Sequence, residues 1–391
     1  MQTIRPTDKP SPFPGPPQQP RLGEETIVSP VSGTELAQAG AAVGSSRWKR
    51  AIIVLPLLFA GLLVALVFAT AIGSVRIDAG EIIKITLNST HLFHFRQTWD
   101  AANEIIILQL RLPRVIGAAL VGAGLAVAGV LFQGLLRNPL ADPYLIGTSA
   151  GAGLGITIGF LLPSSLLILG IEQTALFAFV GALLAVALVY WLARVGGRTP
   201  VVSLLLAGVV VTSLMSAIQA LLIYLAPNQE HLRSVLSWLW GGVSADSWDQ
   251  VGVVAILTFI GLLASLTFGP TLNALSLGEE GAAYLGVNVE RQKTLLIAVA
   301  SLLTAAAVTI AGLVSFVGLV VPHALRLALG PGHRLLLPAS ALGGALFLVV
   351  ADLLARSVIA PSELPLGVLT SLVGGPFFLY LLRRSGREYR W

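Results

Sequence analysis

Residues 111–134, which read RLPRVIGAALVGAGLAVAGVLFQG, are the segment that best indicates the fold of this chain. The chain carries no charged residue between Arg114 and Arg137, and that apolar length allows a helix to cross about 30 Å of hydrocarbon. Small residues let helix backbones approach closely in lipid. Four of them crowd this stretch: Gly117, Gly122, Gly124 and Gly129. The stretch therefore predicts a membrane helix packed closely against its neighbours.

The composition of the whole chain extends this interpretation. Of the 391 residues, 55% are hydrophobic and only 11% are charged, whereas soluble domains carry about 25% charged residues. This argues against a soluble protein, a disordered protein and a nucleic-acid-binding protein. The absence of cysteine excludes disulfides and thiolate metal sites. The five histidines have no metal-ligating spacing, so we predict no metal and no cofactor.

The remaining apolar runs predict an all-α, polytopic membrane protein with about ten transmembrane helices. Glycines repeat every four residues in the third run and predict a close helix contact there; they are Gly147, Gly151, Gly155 and Gly159. The predicted spans are 51–73, 112–132, 143–162, 174–193, 200–226, 251–269, 293–311, 314–329, 335–354 and 365–382.

The termini and the charges predict a domain division and an orientation. Residues 1–46 hold eight of the 22 prolines and are predicted to be a disordered, Pro-rich cytoplasmic extension, followed by a ten-helix transmembrane domain over 47–391. Basic residues gather in cytoplasmic loops of membrane proteins. With ten spans and a cytoplasmic N-terminus, seventeen of the 24 Lys and Arg residues lie on the cytoplasmic side. We therefore expect both termini in the cytoplasm.

Missing motifs narrow the function. The chain has no Walker A sequence and no metalloprotease motif, so it is not expected to bind ATP or to be an enzyme. The mid-membrane positions of the predicted spans hold almost no ionisable residue, Asp352 near a span end being the nearest exception, and ion-coupled transporters usually need such groups. A secondary transporter and a membrane scaffold without transport stay open as alternatives.

Three arginines mark the outer side. Arg111 and Arg114 lie three residues apart at the predicted start of the second span, and Arg356 lies at the outer end of the ninth. They are either snorkelling to lipid headgroups or a docking site for carboxylates of another protein, because a guanidinium binds a carboxylate through two parallel hydrogen bonds.

The longest cytoplasmic connection contains a second candidate surface, residues 277–286. It is predicted to be a short helix closed by Gly286. Its mixture of small, apolar and acidic residues suits a partner's groove. A third polar segment, Pro227 to Gln250, carries Trp238, Trp240 and Trp248, which predict either an aromatic belt at the headgroups or the wall of a substrate vestibule.

Short blocks spread over nearly the whole chain after residue 50 carry a family resemblance. The chain resembles the FecCD-type permeases of bacterial ABC importers for iron-siderophores, haem and vitamin B12. The blocks are RLPR (111–114), NPLADP (138–143), LIG (145–147), LLLAG (204–208), WGG (240–242), LGE (277–279), GLVVPH (318–323), ADLLAR (351–356) and ELPLG (363–367).

The resemblance implies an ABC type II importer architecture in the bacterial inner membrane. It implies a second permease subunit, most simply a homodimer, with two cytoplasmic ABC ATPase subunits below and an extracytoplasmic substrate-binding protein above. Arg111, Arg114 and Arg356 match the arginines that dock the binding protein. Seven residues match the segment that contacts the ATPase: Leu277, Gly278, Glu279, Glu280, Ala283, Leu285 and Gly286.

The substrate path is the least specified part of the prediction. By position on the fifth span, four residues are expected to line it: Ser213, Met215, Ser216 and Gln219. The entry to that span, residues 199–202, lacks the Ser/Thr-rich sequence of vitamin B12 permeases, which makes a ferric siderophore or haem the more expected substrate.

Overall fold

The computed structural model describes residues 33–73, 77–90, 93–162, 167–168, 171–226, 229–245 and 247–385. Within these ranges the chain is almost entirely helical. A π-helical stretch, Ile106–Arg111, joins α3 to α4, and a small antiparallel pair is formed by β1 (Leu167–Ile168) and β2 (Ile171–Glu172). The α-helices are α1 (Gly33–Ala71), α2 (Ala79–Ser89), α3 (Ala101–Ile105), α4 (Leu112–Leu135), α5 (Thr148–Leu161), α6 (Gln173–Ala193), α7 (Val201–Tyr224), α8 (Gln229–Leu239), α9 (Trp248–Thr267), α10 (Gly269–Leu275), α11 (Glu279–Tyr284), α12 (Val289–Ala311), α13 (Val317–Leu329), α14 (His333–Ser357) and α15 (Leu366–Ser385).

The predicted all-α, multi-pass fold is confirmed. Seven helical segments are long and apolar enough to cross a membrane, and each coincides with a predicted span. The other three predicted spans coincide with the shorter apolar helices Thr148–Leu161, Val317–Leu329 and Leu366–Tyr380. The described part of the chain thus contains one apolar helix for each of the ten predicted spans.

One boundary prediction is wrong, and it changes the setting of the outer arginines. Arg111 and Arg114 were expected at a helix start, but the helical segment runs without a break from Ala101 to Leu135. The Asp100 side chain accepts a hydrogen bond from the Ala102 N–H and caps this segment. The apolar residues after it then continue the helix through the π-helical stretch. Both arginines therefore lie inside a helix.

The predicted N-terminal extension falls mostly outside the described residues. Residues 1–32 lie outside the described residues, and helix α1 begins at Gly33. The prediction that the Pro-rich residues 1–46 form a disordered cytoplasmic extension therefore stays a prediction.

Helix α4 packs against α9, α12, α13 and α14, and its glycines explain how the backbones approach so closely. A Cβ atom at Gly122 would meet the carbonyl oxygen of Gly344 in α14, and one at Gly129 would meet that of Gly318 in α13. In α5, a Cβ atom at Gly151 would likewise meet a carbonyl oxygen of α6. The predicted role of these glycines in helix contacts is confirmed.

Helices α4 and α14 pack side by side and run antiparallel. Two regions of the molecule lie at the opposite ends of this helix pair. Near the start of α4, Arg114 contacts Asp352, close to the end of α14. Near the end of α4, Gly134 lies beside His333, the first residue of α14, whose backbone N–H donates to Asn273 of α10. At 1.5 Å per residue, the two regions are about 30 Å apart along α4.

Candidate partner-binding sites at the two ends of α4 and α14

The first region is centred on a buried carboxylate. Asp352 of α14 has a side chain that is only 1% exposed, and each of its oxygens accepts one hydrogen bond from an arginine. Arg114 Nε lies 3.1 Å from Oδ1, and Arg356 Nε lies 2.9 Å from Oδ2. Arg114 also forms a bidentate pair with Glu363, at 3.0 and 2.7 Å. We call these four residues the outer cluster.

Arg111 and Arg356 also bind the end of the first membrane helix. Arg111 is buried, and its Nη1 atom donates to the carbonyl oxygens of Thr70 and Ala71 at 2.8 and 3.2 Å. Arg356 Nη2 donates to the carbonyl oxygen of Ala69 at 3.0 Å. The last carbonyl groups of a helix lack intrahelical partners, so these arginines hold the end of α1 against α4 and α14.

The predicted docking arginines are therefore brought together, but their hydrogen-bond donors are used within the chain. Arg114 keeps a side chain that is 24% exposed, whereas that of Arg356 is 8% exposed. The carboxylate shared by Arg114 and Arg356, Asp352, and the exposed carboxylate of Glu363 were not predicted as part of this site. The sequence carried a signal for both, because Asp352 stands in the same block as Arg356, ADLLAR, and Glu363 begins the block ELPLG.

A cavity of about 790 Å³ opens beside the outer cluster. Arg114 and Glu363 contribute to its wall, together with Trp238 and Trp240. The buried Gln250 also faces the cavity, and its Oε1 atom has no hydrogen-bond partner among the described residues. Trp248 lies elsewhere: its indole N–H donates to the Leu108 carbonyl oxygen at 2.8 Å. Two of the three tryptophans thus line a vestibule-like space.

The second region is the predicted coupling segment, residues 277–286. The expected short helix is present as α11, and Gly286, with φ of +82°, ends it in the left-handed conformation that favours glycine. The Val287 N–H then donates to the Ala282 carbonyl oxygen at 3.1 Å, the closing hydrogen bond of a Schellman motif. Ala282 is fully buried, so it anchors the segment to the core.

The opposite face of the coupling segment is open and apolar. Leu277 is 69% exposed, Tyr284 91% and Leu285 64%. Glu280 and Ala283 are also exposed. An exposed cluster of large apolar side chains in a loop commonly marks an interaction surface. Tyr284 was absent from the predicted contact set. The signal for it was an aromatic residue in a connection where only small and polar residues are needed.

Glu279, another predicted contact residue, belongs to a charge cluster centred on the buried Lys293. The Nζ atom of Lys293 lies 2.7 Å from Glu279 Oε2 and 3.1 Å from Glu290 Oε1. It also donates to the Thr199 carbonyl oxygen at 3.1 Å. We call these four residues the inner cluster. Lys293 is one of the seventeen basic residues predicted on the cytoplasmic side, and its place at the centre of this cluster was not predicted.

The four predicted path residues of α7 separate into two groups. Ser213 and Ser216 are exposed on the apolar outer face of the helix. Met215 packs against the core cluster. Gln219 is buried, and its Nε2 atom lies 3.3 Å from Thr157 Oγ1 of α5, beside Gly153. Of these four residues, only the two serines are exposed on the surface of the chain.

Among the residues that the structure describes, no group of three His, Cys, Asp or Glu side chains is arranged to hold a metal ion.

Comparison with known proteins agrees with this architecture. Residues 61–384 match the FecCD transport family. The chain is 45% identical over 287 residues to the cobalamin import system permease protein BtuC of Halobacterium salinarum, covering 73% of this chain and 75% of that protein. It is 40% identical over 340 residues to the hemin transport system permease protein HmuU of Yersinia pestis, covering 86% and 98%.

The remaining comparisons add a third substrate name and a solved structure. The chain is 40% identical to the Fe(3+)-citrate import system permease protein YfmD of Bacillus subtilis, over 73% of this chain and 84% of that protein. A metal-chelate type ABC transporter solved in an inward-facing conformation is 30% identical, with a TM-score of 0.73, covering 84% of this chain and 98% of that one. The residues at the entry to the fifth predicted span favour a ferric siderophore or haem over vitamin B12 as the substrate. The cobalamin permease among the relatives does not support that order. The chain belongs to the FecCD transport family, as a multi-pass membrane permease and not an enzyme.

Proposed function

We propose that this chain is the membrane permease of an ABC importer that moves a ferric siderophore, haem or vitamin B12 into the cytoplasm. An extracytoplasmic binding protein delivers the substrate, and two ATPase subunits supply the energy. The observation that carries the proposal is the coupling segment. It presents exposed apolar side chains beside the buried ammonium of Lys293, in a chain whose family relatives are ABC importer permeases.

The inner end of the assembly is proposed to be the ATPase contact. The exposed face of Leu277, Tyr284 and Leu285 would enter a groove of the ATPase, while the acidic Glu280 lies at its rim. Interfaces of this kind rely on buried aromatic anchors within a polar rim. Because the chain carries no Walker A sequence, nucleotide chemistry belongs to the partner.

The outer end is proposed to dock the binding protein. Arg114 is the most exposed cation of the outer cluster, and Glu363 competes for the same guanidinium. A carboxylate of the binding protein would exchange with Glu363. Arg111 and Arg356 would act from behind, since they hold the end of α1 in place. The adjoining cavity would receive the released substrate.

The subunit arrangement and the orientation are part of the same proposal. A second copy would pack against the apolar outer face of α7, and Ser213 and Ser216 would then lie near the substrate path. Both termini would be cytoplasmic, as the distribution of Lys and Arg predicts. The ion-coupled secondary transporter is not favoured, because the relatives are ABC permeases.

The experiment that tests this function is quantitative mass spectrometry of what co-purifies with the tagged chain from its own host in mild detergent. We expect a near-stoichiometric protein with a Walker A sequence, and a bound ligand mass would name the substrate. A co-purifying sister permease would contradict the homodimer. Recovery of this chain alone, even after crosslinking, would contradict the importer assembly and favour the secondary transporter.

A further inference from the structure

Lys293 lies at the junction of three parts of the molecule. It is in the first turns of α12, and its side chain is 3% exposed. An ammonium group has three N–H donors and no acceptor. Here the three acceptors belong to α11 (Glu279), to the loop before α7 (Thr199) and to α12 itself (Glu290). Its donors are thus fully used, and each part of the junction supplies one acceptor.

The connection to α7 is held from both sides. While the Thr199 carbonyl oxygen accepts from Lys293, the Thr199 N–H donates to Glu290 Oε2 at 2.9 Å. Pro200 follows and caps α7 with φ of −62°, and the proline ring allows little variation of that angle. The peptide that begins α7 is therefore fixed to α12 and, through Lys293, to the coupling segment.

Packing alone would not fix these parts as firmly. Ala282 of the coupling segment and Leu204 of α7 belong to the same apolar cluster, but apolar contacts have no direction and allow one surface to slide over another. A buried ammonium separated from its carboxylates would be left unpaired, which is strongly unfavourable. The ion pairs therefore set the relative position of α11 and the start of α7.

From this geometry we infer that Lys293 is a positioning residue that transmits displacement of the coupling segment to the start of α7. This inference rests on the proposed function, in which the ATPase displaces that segment. When α11 moves, Glu279 draws on Lys293, and Lys293 draws on Thr199 and the first turn of α7. The helix that carries Ser213 and Ser216 would then move with the ATPase contact.

Hydrogen–deuterium exchange of the assembled transporter tests the inference. The full chain is purified with its own ATPase, placed in lipid nanodiscs, and compared without nucleotide and with Mg-ATP plus vanadate. In the wild type we expect exchange to change severalfold in two regions, 276–288 and 195–205. With Lys293→Gln, the change in 276–288 should persist and the change in 195–205 should be lost.

Two variants separate transmission from a general loss of structure. Lys293→Arg keeps a cation within reach of the same acceptors and should restore the response in 195–205. Arg291→Gln removes an equal charge from the exposed side of the same helix turn and should respond as the wild type does. If Lys293→Gln does not assemble, Glu279→Ala removes the acceptor on α11 while leaving those of Glu290 and Thr199, and it should give the same selective loss.

The outcomes distinguish the inference from the proposed function. A normal response in 195–205 with Lys293→Gln overturns the inference. A wild-type response confined to 276–288 also overturns it and leaves the proposed function standing. A wild type that responds in neither region contradicts the proposed coupling to an ATPase, and the inference falls with it.

Discussion

In each of the two charge clusters, one buried charge lies between two flanking charges of the opposite sign, and the sign of the buried charge differs between the clusters. In the outer cluster a buried carboxylate, Asp352, lies between two cations. In the inner cluster a buried ammonium, Lys293, lies between two carboxylates. Each cluster joins three separate parts of the chain, and each lies where a partner is proposed to bind. Both thus use a buried charge to hold elements together beneath an interaction surface.

The clusters differ in how well water reaches the flanking groups. In the outer cluster the flanking side chains of Arg356 and Arg114 are 8% and 24% exposed. In the inner cluster those of Glu279 and Glu290 are 41% and 33% exposed. If the central charge is removed, the outer arginines stay largely dehydrated, whereas the inner carboxylates can be hydrated. Removing the central charge should therefore cost more free energy in the outer cluster than in the inner one, and we call the outer cluster a clamp for this reason.

The largest effect is expected at the centre of the outer cluster. Asp352→Ala leaves two poorly hydrated arginines without their shared carboxylate, so we expect the free energy of unfolding to fall by about 3–5 kcal/mol. Equilibrium unfolding in mixed micelles measures it. Asp249→Ala, an exposed residue in the first turn of α9, is the control and should cost less than about 1 kcal/mol. Equal losses would contradict the clamp.

A smaller loss is expected at the centre of the inner cluster. Lys293→Met keeps the apolar volume and leaves Glu279 and Glu290 to be hydrated, so the free energy of unfolding should fall by about 1–3 kcal/mol. The same unfolding measurement applies, with Arg291→Gln as the control, expected within about 0.5 kcal/mol of the wild type. A loss as large as that of Asp352→Ala would remove the distinction between the two clusters.

The surface above the inner cluster can be tested without disturbing it. Tyr284 is 91% exposed, so Tyr284→Ala should leave stability unchanged and weaken ATPase binding by about tenfold. Titration of the ATPase onto the chain in nanodiscs measures the affinity. Tyr224, 85% exposed at the other end of α7, is the matched control. Equal affinities for both alanine variants and the wild type would exclude Tyr284 from the contact.

The smallest effect concerns the exposed rim of the outer cluster. Glu363→Gln weakens the internal pair with Arg114, and the freed guanidinium should bind the binding protein up to about fivefold more tightly. Binding of that protein to the chain in nanodiscs is measured at low and high salt. Asp249→Asn changes the net charge by the same amount and serves as the control. Weaker binding with Glu363→Gln would contradict the exchange of carboxylates on Arg114.

The same contacts show why charge reversals that look natural from the sequence are poor tests. Glu279→Arg would bring a second cation to Lys293. Reversing Arg111 and Arg114 to Glu would bring a second carboxylate to Asp352 at position 114 and remove the donor to the end of α1 at position 111. Both changes would disturb the clusters themselves as well as any partner contact. Tyr284 separates the two effects, because it is 91% exposed and belongs to neither cluster.

The sequence was sufficient wherever one local pattern decides the outcome. Uninterrupted apolar runs predicted each membrane helix, because a chain in lipid must satisfy its backbone hydrogen bonds within the segment. Four-residue glycine spacing predicted a close helix contact of α5, which the structure makes with α6, and Gly286 predicted the end of α11. The start of the second span was predicted too late, because the helical segment capped by Asp100 already begins at Ala101 and includes charged residues before the apolar run.

The amino-acid sequence alone predicted a membrane environment, ten membrane helices and the blocks that carry the family resemblance. Which charges are paired and which side chains are exposed depends on the tertiary structure. Asp352 meets Arg114 across 238 positions of the chain, and Lys293 meets Thr199 across 94. Pairings of that kind depend on how whole helices pack, since local periodicity specifies the face of a helix but not the partner that face will meet.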